Sequence, residues 1–442
     1  MPETVMTLKV RLKTPEKAAD KLRRAMGCAR FVHNYLLFET KTDYEDYLDE
    51  LESRLIFGEA HSAGEAQALC VRPESVTKFS LTYRIKTLRK QYPFLASDAP
   101  AQVLQQECQR LAGAFKCFSE GKSGYPRFKR KVENESIRYP QFVRFNLKSR
   151  QLFLPKLGWL NVFNKKLPLT PGQAKGIHTA TVVREGNRFY ACLEYTVTVP
   201  ETRSAEELSR ECTGLDRGVV IPLQLSDGTQ YGTELKERTG PLTEKIKLLQ
   251  KRFKHKTRGS RSWRALKKRI AKLQLKIRSI RRDILHKATT EIAKSHGCIC
   301  MEDLKLKNMT KSARGTVQEP GSDVRQKSGL NRELLLRALG ETGVMLEYKL
   351  RLRGGLLIRV PPQYTSQTCP VCGHVSENNR TSQSEFVCEK CGHSANADLN
   401  AAENIKRAGR ARIAGDAGSK GAVTRNLPES GLKTAQPEAH EL

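Results

Sequence analysis

The sequence predicts an α+β protein of several domains, on three observations. Its 442 residues exceed what one core needs and suggest about three domains. Helical and strand periodicities come in separate blocks rather than in regular alternation. Two C-x-x-C pairs, Cys369/Cys372 and Cys388/Cys391, are separated by fifteen residues, the ligand spacing of a small four-cysteine zinc ribbon. A glycine follows each pair (Gly373, Gly392), as a tight turn around a metal requires.

Composition narrows the partners. Lysines and arginines number 78 against 47 aspartates and glutamates, a net charge of +31, so the field of the whole molecule favours a polyanion. Nucleic acid is the expected partner. No run approaches the roughly 18 apolar residues of a membrane-spanning helix. The start, MPETVMTLKVRLK, has no apolar signal core, so a cytoplasmic location is expected. The eight cysteines outside the two pairs follow no framework spacing, which fits reduced thiols there.

Residues Val5 to Leu12 alternate as a short strand, and Thr14-Pro15-Glu16 starts a helix. Leu22, Ala25, Ala29, Val32 and Tyr35 then form an apolar stripe. Further helices are expected over 76–93 and after Asp98-Ala99-Pro100, making an α-helical lobe of 15–118. The acidic stretch 43–74 reads as helix and loop without assigned chemistry. At 121–130 the chain becomes glycine-rich, basic and aromatic. Tyr125, Arg127 and Lys129 are candidates for contact with phosphates or bases, a solvated loop with one aromatic anchor being the equal alternative. FVRFNL, QLFLPKLGWLNVF, ATVVREGN and RFYACLEYTVTVP read as strands of a small β-barrel over 119–205 that also recruits the N-terminal strand, 1–14.

In CTGLDRGVVIPLQL, Asp216 lies in a strand expected to resume after Gly218 as Val219 to Leu225. RNase H-like nucleases hold a metal-binding aspartate on such a strand, beside a glycine that leaves room for a phosphate. Taken alone, G-x-D-x-G reads as a structural aspartate. Over 236–287 a helical hairpin is expected, because Leu242, Ile246, Leu249 and Phe253, then Trp263, Leu266, Ile270, Leu273, Ile277, Ile280 and Ile284, step by three and four. Twenty lysines and arginines face three acids in this span. Backbone contact to nucleic acid through Lys267, Lys268, Arg281 and Arg282 is therefore expected over an ordinary solvated face. Residues 298–304 read as a buried strand ending in Glu302, and 304–330 as a mobile loop. Behind the second cysteine pair, Asp398 opens a small-residue helix, where alone it would be an N-cap. Beyond 407 large apolar residues are few, and 408–442 is expected to be disordered.

In order, KVRLKTPEK, CARFVHNY, YPRFKRK, LPKLGWL, GLDRGV, MEDLKLKNM, YTSQTCPVCGH, FVCEKCGH and NADLNAAENI resemble the TnpB family of transposon-encoded proteins, relatives of the type V CRISPR effectors. The likeness runs from about Lys9 to Ile405. It implies that Asp216, Glu302 and Asp398 are the three carboxylates of one RuvC site in an RNase H-like domain, holding two Mg2+ or Mn2+ ions. That domain would comprise 206–362 and 396–407, contain the basic hairpin (236–287) and enclose the zinc ribbon (363–395). A wedge β-barrel (1–14 and 119–205), interrupted by a recognition lobe (15–118), would precede it. The resemblance also implies a guide RNA, a double-stranded DNA target beside a short flanking motif, and a nucleoid-associated monomer. A miniature type V CRISPR effector of the same build and a non-cleaving nucleic-acid-binding regulator are the competing readings. Presence of all three acids speaks against the regulator.

Overall fold

Met6, Leu8, Val10 and Leu12 alternate with smaller or charged residues and are all buried, which makes β1 (Glu3–Lys13) a strand covered along most of its length. The computed structural model describes residues 2–131, 134–163, 167, 169–316, 318–380, 382 and 384–417. The described chain divides into two compact units, one of residues 5–197 and one of residues 2–4 together with those from Thr198 onward. In the first, β1 is the middle strand of a seven-stranded sheet. Its companions are β2 (Asn134–Tyr139), β3 (Arg144–Asn146), β4 (Gln151–Leu154), β5 (Gly158–Val162), β6 (Ala180–Glu185) and β7 (Arg188–Thr198), in the order β2-β6-β7-β1-β5-β4-β3. The expected recruitment of the N-terminal strand is thus seen. β2, from NESIRY, was not foreseen: only Ile137 and Tyr139 are buried in it, and its six-residue antiparallel pairing with β6 defines it.

The helices of this unit are α1 (Glu16–Ile56), α2 (Ala63–Leu69), α3 (Lys78–Gln91), α4 (Pro93–Asp98), α5 (Ala101–Ser119) and the short α6 (Pro171–Lys175). Leu22, Ala25, Met26, Ala29, Val32 and Leu36 form the buried stripe of α1. The acidic stretch continues α1 to Ile56 and then forms α2, so more of it is helical than its weak periodicity suggested.

In the second unit a short α7 (Ala205–Arg210) leads into β8 (Cys212–Asp216), β9 (Leu223–Leu225) and β10 (Gln230–Tyr231), an antiparallel meander. The strand expected from Val219 forms only at Leu223, because the Gly218 N–H donates to the Ile221 carbonyl (3.1 Å) and closes a tight turn between. Helices α8 (Leu235–Lys254) and α9 (Arg261–Ser295) make the expected hairpin, closed over Ile246, Leu249 and Ile270. β11 (Cys298–Glu302) follows. Then α10 (Leu306–Met309), α11 (Val324–Arg337) and α12 (Leu339–Arg351) lead to β12 (Leu356–Val360). The five strands lie in the order β10-β9-β8-β11-β12, with β8, β11 and β12 mutually parallel. The small hairpin β13 (Glu385–Val387) and β14 (Ser394–Asn396) precedes α13 (Ala397–Ala417).

Alternation along β8 and β11 assigns the two faces of this sheet. Leu215, Ile299 and Met301 point to one face, where Leu285, Ala288 and Ile292 of α9 and Met345, Leu346 and Leu350 of α12 cover them. Cys212, Cys298 and Cys300 point to the other, beneath Ile405 and Ile413 of α13. Burial of Ile413 explains a departure from expectation: the chain does not become disordered at 408 but stays helical through Ala417, with Arg412 Nη1 donating to the Arg359 carbonyl (2.7 Å). The rest of the expected disordered tail lies outside the described residues.

Candidate active site and four-cysteine cluster

Leu215 of β8 pairs with Met301 of β11, so Asp216 and Glu302, the next residue on each strand, leave the sheet at the same level. Their face is the one that α13 covers. A Cβ on Gly214 would fall inside the van der Waals envelope of the Ala402 carbonyl oxygen and 2.8 Å from the Lys406 nitrogen, so α13 lies directly on the β8 backbone. The space left by this glycine is filled by the α13 backbone. Asp398 stands one helical turn before Ala402, towards the acidic ends of the strands. It is not the cap of its helix. Asn396 Oδ1 accepts from the N–H groups of Asp398 (3.0 Å) and Leu399 (3.2 Å), leaving the Asp398 carboxylate available.

Asp216 senses the other two acids. Burial pushes Asp216 up to about 7, and the charges of Glu302 and Asp398 push in the same direction. Asp398 is raised as well, by burial, against the opposing charge of Arg380. Surrounding groups hold this arrangement in place. Arg217, 8% exposed, donates from Nη2 to the Glu302 carbonyl (2.6 Å) and from Nη1 to the Leu339 carbonyl (2.8 Å). The Thr365 hydroxyl donates to Glu302 Oε1 (2.5 Å). Asn404 Nδ2 donates to the carbonyls of Thr365 (2.9 Å) and Thr368 (2.7 Å), and Asn400 Nδ2 to that of Thr368 (3.1 Å). Sequence reasoning missed these supporting residues. A signal for two of them existed: Asn400 and Asn404 sit four apart among Ala401, Ala402 and Ile405, and polar groups on a buried stripe require partners.

A pH dependence follows from Asp216. Its folded-state value, about 7, is above the ordinary aspartate value of 3.8. The stability it contributes is therefore complete below about pH 4 and is lost as pH rises through 7. Asp216→Asn is expected to stabilise the chain in chelator at pH 8 by on the order of 4 kcal/mol, read as a higher thermal midpoint. At pH 4 it should leave the midpoint unchanged. Melting curves at both pH values check this.

The four cysteines of the two C-x-x-C pairs converge, with all four sulfurs within 4.8 Å of one another. The Cys369–Cys391 and Cys372–Cys388 sulfur distances are both 3.6 Å. A tetrahedron with 2.3 Å metal–sulfur bonds has edges of about 3.8 Å, so the cluster can hold a metal of zinc's size. The two halves repeat one geometry. Gly373 and Gly392 have φ of 73° and 69°, and their N–H groups donate back to Cys369 (3.0 Å) and Cys388 (2.8 Å). A second group, Cys212, Cys298 and Cys300, lies at the opposite ends of β8 and β11 from the acids, walled by Leu208, Ile358, Ile405 and Ile413. These three buried thiols pack as small hydrophobic groups.

The basic candidates separate. Lys267 and Lys268 are exposed on α9, with Lys267 Nζ 5.1 Å from the centre of the Trp263 ring, which stacks on Phe253. Arg281 and Arg282 instead turn to Glu341 (3.1 and 3.2 Å) and are largely covered, tying α9 to α12. In the 121–130 segment, Lys129 Nζ pairs with Glu107, and its backbone exchanges two hydrogen bonds with the Asn34 side chain (2.7 and 2.9 Å). Tyr125 sets its ring against Phe115 and Phe118 (5.6 and 5.2 Å), while the Arg127 side chain stays exposed.

Comparison with known proteins supplies the lineage. Residues 193–313 match a family described as "Probable transposase", 340–405 a "Cas12f1-like, TNB domain" and 5–48 a "Helix-turn-helix domain" of the first family's group. The chain is 41% identical over 318 residues, 72% of its length and 76% of the other's, to the Escherichia coli (strain K12) protein named "Putative RNA-guided DNA endonuclease InsQ". It is 27% identical over 418 residues, 94% of its length and 92% of the other's, to a Streptomyces pristinaespiralis protein named "Putative RNA-guided DNA endonuclease". A Cas12f1 solved with guide RNA and target DNA aligns with a TM-score of 0.46 at 16% identity, over 91% of this chain and 99% of that one. Identity at this level, over this share of both chains, together with the matched segments, means that the chain belongs to the TnpB family of transposon-encoded proteins.

Proposed function

We propose that the chain is a transposon-encoded, RNA-guided DNA endonuclease that cuts both strands of a duplex at one site built from Asp216, Glu302 and Asp398. The observation that carries this reading is the exit of Asp216 and Glu302 at the same level from two parallel strands, with Asp398 on the helix that covers that face, on a sheet of order β10-β9-β8-β11-β12. That order and those strand directions support reading this part of the chain as an RNase H-like domain of RuvC type. Likeness to relatives named as RNA-guided DNA endonucleases supports the reaction class. The donor set is entirely carboxylate oxygen, and the charges of Glu302 and Asp398 add to burial in disfavouring a charged Asp216, a concentration of acid that suits two Mg2+ or Mn2+ ions. Bound there, such ions activate a water and stabilise the leaving 3′ oxygen. The chain's own part is to hold three oxygen donors on rigid elements, with Arg217 fixing the end of β11.

Guide pairing would read the target, and the protein a short flanking motif and the shape of the hybrid. In the first unit, an open cleft of about 780 Å³ lined by Arg11, Lys13, Lys17, Lys21, Trp159 and Phe163 has the basic and aromatic lining that nucleic acid favours. The decisive experiment is to sequence the RNA that copurifies with the protein, reprogram its guide segment and assay a matched duplex in Mg2+. Intact DNA at every flanking motif would overturn the proposal.

Two further outcomes are expected. Metal analysis of reduced protein should find one zinc per chain, and Cys372→Ser should lose it together with the fold of 363–395, since four thiolates close the coordination shell. Lys267→Gln with Lys268→Gln should lower the slope of log affinity against log salt by about 2, one for each phosphate contact, without altering sequence preference. Arg281→Gln with Arg282→Gln should instead lower the melting temperature and leave the slope unchanged, because these guanidinium groups face Glu341. Salt titrations and melting curves on both pairs check this.

A further inference from the structure

We infer that Thr365, held by Asn404, is a positioning residue that fixes which oxygen of Glu302 faces the other acids. This rests on the nuclease reading above and extends it to a residue outside the acid set. Thr365 is 8% exposed and lies on the chain between β12 and the first cysteine pair. Its hydroxyl has one proton and two acceptors in reach, Glu302 Oε1 at 2.5 Å and the Pro362 carbonyl at 3.2 Å, and the shorter, charge-assisted contact takes it. One oxygen of Glu302 is thereby engaged, and the other is left to the site. The Thr365 backbone does not drift, because Asn404, 7% exposed on α13, donates from Nδ2 to both the Thr365 and Thr368 carbonyls. Glu302, Thr365 and Asn404 thus form a chain of hydrogen bonds ending on the helix that carries Asp398. The carboxylate of β11 and that of α13 are set by one connected group. Outer partners of this kind orient a ligand and commonly change metal affinity or activity by 10–100-fold when removed.

Thr365→Val keeps the shape and removes the donor; Thr365→Ser restores it. The guide-loaded protein is titrated with Mn2+, the free ion being counted by electron paramagnetic resonance, alongside single-turnover cleavage at varied Mg2+ and binding of matched DNA in chelator. Thr365→Val should raise the half-saturating Mn2+ concentration about tenfold or more and slow cleavage at limiting Mg2+. Saturating metal should recover part of the rate. Thr365→Ser should stay within about threefold of wild type, and DNA binding should be unchanged in both. Asn404→Ala should move Mn2+ affinity in the same direction as Thr365→Val, and the double variant should add little to either single one. Wild-type Mn2+ affinity in Thr365→Val, or an equal loss in Thr365→Ser, would overturn the inference. Failure of the wild-type protein to cut would overturn the nuclease reading instead, so the two failures are told apart.

Discussion

Asp398→Ala is expected to abolish cleavage of both DNA strands, by at least about 10³-fold, while guide-directed binding of duplex DNA persists. The substitution removes one of the three proposed oxygen ligands without touching the exposed basic residues Lys267 and Lys268. It should not unfold the chain. Burial already disfavours the charged form of Asp398, and Asn396 rather than Asp398 caps α13. Both strands should be spared together, because the proposed site is a single set of three acids, Asp216, Glu302 and Asp398. End-labelled strands, followed separately beside a binding assay with Mg2+ and guide RNA, provide the test. Cleavage of one strand at the wild-type rate would mean a second active site.

Gly214→Ala should be nearly as damaging by a different route. Its new methyl group would collide with the Ala402 carbonyl and the Lys406 nitrogen, backbone atoms that cannot step aside as a side-chain tip can. Either α13 lifts from β8 or the sheet bends. The expected cost is on the order of 3–5 kcal/mol, at the severe end for a single methyl group. Lifting α13 also carries Asp398 away from Asp216, and a shift of about 1 Å in a catalytic set can lower the rate about 10²-fold. Gly113→Ala is the control. Nothing lies within 4 Å of its added carbon, and a helical position should gain up to about 1 kcal/mol. Thermal melts of both variants, with cleavage rates of the folded fraction, separate the two components; a wild-type melting temperature in Gly214→Ala would show that α13 is not packed as described.

Legibility in the sequence followed the strength of local signals. The four cysteines announced themselves by spacing alone, since metal geometry leaves little freedom in it. Leu242 to Ile284 displayed the hairpin through a three-four step that few other structures produce. The three acids were a different case. Each looks ordinary by itself, and only the ordered motifs of the family resemblance joined them. What stayed hidden depended on contacts between distant segments. Arg281 and Arg282 have the same local character as Lys267 and Lys268, and Glu341, sixty residues further on, decides that they are structural. β2 depends on β6 in the same way, and the helical extension past 407 depends on Ile413 finding a cover on the sheet. Thr365 was invisible because a hydroxyl next to a cysteine pair has no pattern of its own.

The seating of α13 on β8 also sets a clock on the protein's own manufacture. Asp216 and Asp398 are 182 residues apart in the chain. At typical synthesis rates of about 5–20 residues per second, roughly 10–40 s pass between the making of the first acid and the last. During that interval β8, and β11 once it is made, can pair only with what has already emerged, and the face bearing Cys212, Gly214 and Cys300 waits for its cover. A nascent chain that has not yet reached Asp398 therefore carries two acids of the proposed site on a half-covered sheet. A chain that ends upstream of Asp398 lacks one acid of the proposed site and is expected not to cut DNA.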